Sequence, residues 1–345
     1  VSDALGLGIV GCGGAAADVC RAVAGVPELS VVALHDRDLA LAEDLARTTG
    51  GQAYATLEEL LAADAVQAVY IALPHDLLAL IAMQVLESGR HVLVEKPMAL
   101  SLADADALGQ LAAARGLTIG VFFEMRFAPV AMAAARLVQG GAIGEVRAIR
   151  IRTLIDKSPD YWTIGLSGRS LSPWRGQSAR AGGGVVLMNT SHQLDMVSAI
   201  TGLSVTRVMG SIETTTPGID VEDTAAAVLT YGHGVIGSIV AGAHVPGAAD
   251  GEIIEIDGVL GHLELEAYAG VLRVFLRRPF EGLPSAQWLE PEVGDGDALV
   301  GALAAFAAAA RDGTRPIVGV PEARQALATI LGLYRSSAEG RVIDL

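Results

Sequence analysis

The chain has 345 residues, a formal net charge of −15, and a composition that is 52% apolar but only 4% aromatic. That charge excludes a nucleic-acid binder, which needs clustered Lys and Arg against phosphate, and the apolar content excludes disorder. The longest apolar run, Leu299 to Ala310, is shorter than the ~20 residues a membrane span requires.

The length predicts two domains, with cores built from Ala, Val, Leu and Ile. The two cysteines, Cys12 and Cys20, form no CxxC pair and fit a reducing compartment. The opening segment shows no basic stretch and no cleavage-site pattern, so a cytoplasmic location is expected.

In chain order, Leu5 to Val10 reads as an apolar strand. Gly11-Cys12-Gly13-Gly14-Ala15-Ala16 follows, then a helix that Pro27 stops. Ser30 to Leu34 is a second strand, and a helix runs from about Leu39 to Thr48. Gln52 to Tyr54 is a short third strand. Thr56 and Glu59 have capping-box spacing for the next helix. Strands at Ala68 to Ala72, His91 to Val94 and Thr118 to Phe123 alternate with helices at Leu77 to Glu87 and Ser101 to Arg115. Such alternation means βαβ units, hence a parallel doubly wound sheet of the Rossmann type.

Beyond residue 123 the rhythm changes. A helix at Pro129 to Gln139 and a strand at Val146 to Thr153 precede an irregular stretch, Asp156 to Gly184. A helix from about Ser191 to Ile200 is followed by six strands with tight turns between Val205 and Leu276, and two helices finish the pattern. Successive strands of this kind predict an α+β domain with a large, mostly antiparallel open sheet. The expected division is therefore 1–123 for dinucleotide binding and 124–345 for substrate binding and oligomerisation, with the last helices free to pack back on the first domain.

Two features carry chemistry. Gly11-x-Gly13-x-x-Ala16 lies between a strand and a helix, and Asp36 ends the next strand, twenty residues after Ala16. Gly11 allows the tight turn, Gly13 the approach of a pyrophosphate, and a small residue at 16 the close packing of helix on strand. Backbone N–H groups around Gly14, Ala15 and Ala16 then face the phosphates. Asp36 favours the ribose hydroxyls of NAD, while Arg37 beside it leaves NADP open. Next, His91-Val92-Leu93-Val94-Glu95-Lys96-Pro97 places an ammonium group at a strand's carboxyl end, where α/β sheets bind ligands. Finally, no HExxH, Cys/His cluster, Gly-x-Ser-x-Gly elbow or Walker A sequence occurs, so no metal is expected.

These motifs, with Ala72-Leu73-Pro74-His75, Arg126-Phe127-x-Pro129, Gly141-x-Ile143-Gly144-Glu145-Val146, Trp174-Arg175-Gly176, Gly182-Gly183-Gly184 and Val221-Glu222-Asp223-Thr224, resemble the glucose–fructose oxidoreductase / inositol dehydrogenase / rhizopine-catabolism (Gfo/Idh/MocA) family over nearly the whole chain. The resemblance implies hydride transfer between a nicotinamide cofactor and a secondary alcohol or ketone of a sugar, inositol or sugar derivative. It implies that Lys96 stabilises the developing alkoxide and that His192 exchanges the proton. Leu73, Pro74, His75, Glu95, Arg126 and Trp174 are expected at the cofactor. Asn189, Tyr161, Glu124 and Arg175 are expected at the substrate, with loop packing as the alternative for the aromatics. A cis Lys96–Pro97 bond would aim the lysine.

The sequence departs from the family at several points. Met188 stands where many members carry an aspartate four residues before the histidine, and Asn189 is the polar neighbour left to orient a hydroxyl. Leu78 replaces a common histidine, for which His75 is a substitute. Glu124 replaces Asn or Gln and can bind a sugar hydroxyl or pair with Arg126. Two alternatives stay open: an NAD-dependent glycosidase working by transient oxidation, and a dinucleotide-sensing regulator without turnover. A homodimer or homotetramer through the second-domain sheet is expected.

Overall fold

The computed structural model describes residues 4–165, 167–169, 172–248 and 251–345. The chain divides into two compact units. One joins the chain up to Phe123 with Asp160–Gly182 and Leu299–Arg324. The other takes Glu124–Pro159, Gly183–Ala298 and Gln325–Leu345. Chain order therefore does not follow unit order: the irregular stretch and the helix at Ala298–Asp312 fold largely with the first unit.

In the first unit six parallel strands run β1 (Leu5–Val10), β2 (Leu29–His35), β3 (Gln52–Tyr54), β4 (Ala68–Ile71), β5 (His91–Glu95) and β6 (Ile119–Phe122). Their spatial order is β3-β2-β1-β4-β5-β6. The order reverses between β1 and β4, the switch point at which such sheets bind ligands beyond the carboxyl ends of their strands. All four residues of β4 and all four of β6 are buried, as a parallel sheet covered on both faces requires. The capping box forms: Thr56 Oγ1 accepts from Glu59 N at 3.2 Å and Glu59 Oε2 from Thr56 N at 3.2 Å.

Three short helical turns, Tyr161–Ile164, Pro173–Gly176 and Ser178–Ala181, organise the irregular stretch. It is tied to the first unit by polar contacts that short-range sequence patterns do not show. Arg180 Nε donates to Asp76 Oδ2 at 3.1 Å, and Arg169 Nε donates to the Cys12 carbonyl at 2.9 Å.

The second unit is built on nine strands: β7 (Val146–Leu154), β8 (Val205–Glu213), β9 (Thr224–Tyr231), β10 (Ile236–Gly242), β11 (Gly251–Gly258), β12 (Gly261–Glu266), β13 (Val271–Leu276), β14 (Trp288–Leu289) and β15 (Ile343–Asp344). They lie in the order β14-β13-β12-β11-β7-β10-β9-β8-β15. Only the β7–β10 pair is parallel; the others are antiparallel. Alternation sends Ile149, Ile151, Leu229, Ile239, Ile254, Ile256, Leu263 and Leu265 to a buried face. The helices Pro129–Gln139 and Ser191–Thr201 pack there. The opposite face exposes Met209, Val228, Ile236 and Val240.

Candidate active site

In the first unit, β1 turns sharply at Gly11, where φ is +87° and a Cβ would lie 2.2 Å from the Ala72 carbonyl oxygen. Among the described residues no side chain caps the helix Gly14–Val23. Its first N–H groups are thus left to a ligand or water. Ala16 is fully buried against the sheet. Asp36 holds the turn from the next strand: Oδ2 accepts from Cys12 N at 2.7 Å and Oδ1 from Asp38 N at 2.9 Å. Each oxygen keeps a second lone pair for a ribose hydroxyl. These groups fit a dinucleotide. Arg37 is exposed beside them. The Cys12 thiol is pushed up to about 12 by burial, reinforced by the Asp36 charge, so it stays protonated.

β5 delivers Glu95 and Lys96 to the same edge, and the Lys96–Pro97 bond is cis as expected. Glu95 Oε1 accepts from the Tyr70 hydroxyl at 2.6 Å, and Oε2 from Lys96 N at 3.2 Å. Burial raises the Glu95 pKa, against the pull of Lys96. The Lys96 charge also acts on His75 and on Tyr161, so these side chains form one neighbourhood. Arg175 completes it, with its guanidinium carbon 4.7 Å from the Trp174 ring centre and 5.7 Å from that of Tyr161. Burial raises the Tyr161 pKa.

Leu73 and Pro74 form the turn after β4, with Pro74 at the start of the helix His75–Glu87. His75 points inward instead of lining an open surface. Its Nδ1 bonds the Ala181 carbonyl at 2.7 Å and its ring meets Trp174 edge-on at 4.6 Å. A carbonyl only accepts, so Nδ1 carries the proton. Burial lowers the His75 pKa to about 3, and Lys96 and Arg175 add to that direction.

In the second unit the chain from Gly183 to Val197 is buried at every residue except half-buried Asn189. A π-helical turn, Val186–Thr190, runs into the helix Ser191–Thr201; such turns recur at functional sites. Glu222 caps the start of this segment, accepting from Gly184 N at 2.6 Å, Val186 N at 3.0 Å and the Tyr334 hydroxyl at 2.8 Å. A Cβ on Gly183 would lie 2.0 Å from the Tyr334 oxygen, and one on Gly184 1.8 Å from the Glu222 carbonyl oxygen. That crowding is why glycines stand there.

His192 is 4% exposed, and its Nδ1 lies 3.9 Å from Glu124 Oε2. Arg126, at the same turn as Glu124, forks onto Asp195: Nε donates to Oδ2 at 2.8 Å, and Nη2 to Oδ1. The fork fixes the helix of His192 to the turn at Glu124–Phe127, a structural task for a residue expected at the cofactor.

Lys157, Gln193, Glu252 and Tyr334 were not singled out from the sequence. Lys157 Nζ donates to Asn189 Oδ1 at 2.6 Å. Gln193 Nε2 donates to Glu252 on β11. Glu222 and Tyr334 are joined across 112 positions. No local motif links such pairs. Elsewhere on this unit Glu255, His262 and Glu264 come within metal-ligating distance of one another. Arg150 and Arg273 face those carboxylates, and His262 Nδ1 lies 2.5 Å from Asp257 Oδ1.

Two family models match the chain: "Oxidoreductase family, NAD-binding Rossmann fold" over residues 5–123, and "GFO/IDH/MocA C-terminal domain" over residues 131–264. An uncharacterized oxidoreductase of Synechocystis sp. is 33% identical over 177 residues, covering 51% of this chain and 45% of that protein. The chain spans about half the length of the curated relatives it matches. The solved structure of levoglucosan dehydrogenase with NADH and levoglucosan shares the fold, with a TM-score of 0.88 and 21% identity over 99% of both chains. GenD2 from gentamicin A biosynthesis, in complex with NAD, gives a TM-score of 0.82 and 26% identity, covering 99% of this chain and 96% of that one. No helix among the described residues is long and apolar enough to cross a membrane.

Proposed function

The chain belongs to the Gfo/Idh/MocA oxidoreductase family, and on that premise we propose that it moves a hydride between a nicotinamide cofactor and a secondary alcohol or ketone of a sugar, inositol or sugar derivative. The observation that carries this reading is Lys96. It is presented at the carboxyl end of β5 in a fold whose glycine turn, uncapped helix and Asp36 fit a dinucleotide.

The nicotinamide ring supplies the hydride acceptor or donor when it is bound. The rest falls to the chain. Gly11, Gly13, Gly14, Ala15 and Ala16 shape the phosphate turn, and Asp36 binds the ribose diol, favouring NAD over NADP. NAD is also what the 26%-identical GenD2 carries. Leu73, Pro74, Glu95 and Trp174 shape the walls around the cofactor. Lys96 donates to the reacting oxygen and stabilises negative charge as it develops there. His192 takes the hydroxyl proton in oxidation and returns it in reduction, with Glu124 Oε2 3.9 Å from its Nδ1. Asn189, Tyr161 and Arg175 orient the substrate.

NADH absorbance with a panel of inositols, hexoses and anhydrosugars tests the reading. Turnover with one of them is expected. Tight NAD binding without turnover on any would defeat it in favour of a sensor, and product formation without net NADH would favour the glycosidase route.

Two further parts of the proposal concern setting. Met209, Val228, Ile236 and Val240 on the exposed sheet face support a homodimer or homotetramer through that face; a strict monomer in light scattering would contradict it. The free thiols of Cys12 and Cys20 suit the cytoplasm.

A further inference from the structure

Of the 24 Lys and Arg residues in the sequence, two are lysines, Lys96 and Lys157. Where this protein binds a carboxylate through a fork it uses arginine, as at Arg126, Arg150, Arg180 and Arg324. A lysine is a compact point charge on a flexible stem. Lys96 has a role in the reading above. Lys157 has none, yet it is 8% exposed. Its backbone is fixed: Lys157 N donates to the Ala243 carbonyl at 3.1 Å, in the continuation of β7 beside the end of β10. Its Nζ donates to Asn189 Oδ1 at 2.6 Å. Asn189 is the one half-buried residue between Gly183 and Val197 and stands three residues before His192.

We propose that Lys157 is a positioning residue that sets the polarity of the substrate site. An ammonium group has three donors and no acceptor. Asn189 can therefore meet it only with Oδ1, which leaves the Nδ2 amide as a donor for another partner. The orientation of an asparagine amide is ordinarily ambiguous; here the chemistry of its partner decides it. The site beside His192 is thus a hydrogen-bond donor. It reads a substrate oxygen through its lone pairs: a carbonyl, an acetal or ether oxygen, or a hydroxyl used as acceptor. A carboxylate at this place would reverse that polarity and demand a hydroxyl that donates. The identity of the ligand as a sugar or polyol rests on the dehydrogenase reading; the polarity of the site does not.

Three variants and a set of mono-O-methyl ethers of the turned-over sugar test this. Wild type should accept the ether at the position read by Asn189 with KM within about threefold of the parent. Asn189→Asp keeps the size and the Lys157 contact but removes the donor, and should raise KM for that ether relative to the parent by about tenfold, the scale of one lost hydrogen bond. Lys157→Met should raise KM for both about tenfold, with kcat within about twofold and NAD affinity unchanged. Lys157→Arg should not restore it, because the guanidinium fork cannot occupy the same point. An unchanged ether-to-parent ratio in Asn189→Asp, or unchanged KM in Lys157→Met, overturns the proposal. If Lys157→Met does not fold, the Asn189→Asp ratio decides alone. If no sugar is turned over, the dehydrogenase reading fails separately, and a crystal structure decides this one: Lys157 Nζ within hydrogen-bond distance of the Asn189 amide supports it, and a Lys157 side chain turned away from Asn189 overturns it.

Discussion

Around the glycine turn of the first unit, most polar groups at the candidate cofactor site belong to the backbone: uncapped N–H groups of one helix and a turn held open by absent side chains. Around Gly183–Val197 of the second unit they are side chains paired over long sequence separations: Arg126 with Asp195, Lys157 with Asn189, Gln193 with Glu252, Tyr334 with Glu222. The first arrangement suits a ligand of fixed shape, whose phosphates need dipoles and clearance. The second suits a ligand whose identity must be read, since buried polar groups punish a mismatch. One region can therefore be common to many chains of this fold, while the other must be specific to its substrate.

Separating turnover from cofactor affinity gives the largest expected effect. Lys96→Ala removes the charge placed at the reacting oxygen but no part of the glycine turn. Turnover should fall about 10³-fold, while NAD affinity by fluorescence titration stays within about twofold. Unchanged turnover would remove Lys96 from the mechanism.

Breaking a side-chain pair of the second unit should cost stability instead. Arg126→Met leaves Asp195, whose side chain is 1% exposed, without its fork. A loss of about 3–5 kcal/mol in urea unfolding is expected. Arg126→Met with Asp195→Leu should recover most of it; equal losses in the single and double variants would show that the fork is not the cause.

The first unit has long-range polar ties as well, and pH tests the one at His75. His75 takes up protons near pH 6.5 when unfolded and only near 3 when folded. Its contribution is fully present above 6.5 and is lost as pH falls toward 3, because the unfolded chain binds a proton the native state refuses. The slope should reach ~1.4 kcal/mol per pH unit in that window. His75→Gln should flatten this part of the curve in urea titrations between pH 7 and 4; an unaltered slope would assign it to carboxylates.

Asp36→Ser gives the smallest effect. It removes the like charge that a 2′-phosphate would meet beside Arg37, and the NAD-to-NADP affinity ratio should fall about tenfold. A ratio that does not move would mean that another group reads the ribose.

Much of the first unit was legible because its signals are local. Strand, Gly11-x-Gly13-x-x-Ala16, helix and Asp36 follow one another at fixed spacing, and each has a steric or dipolar reason to be there. Glu95-Lys96-Pro97 was legible for the same reason, down to the cis bond. His75 shows the limit: its turn was read from local residues, while the carbonyl that its ring bonds lies 106 positions away. Arg126 likewise sat in a recognisable segment, but its partner came from a helix 69 positions on.

The sequence by itself determined the alternation of strands and helices, the glycine turn with its acid, the lysine at the end of β5 and the histidine after the triple glycine. These depend on period, on φ and on residues a few places apart. Only the tertiary structure decided which buried polar groups meet: that Arg126 holds Asp195, that Glu222 accepts from Gly184 N and Val186 N, and that Lys157 faces Asn189. A buried donor must find an acceptor somewhere in the fold, and nothing in its neighbouring residues says where.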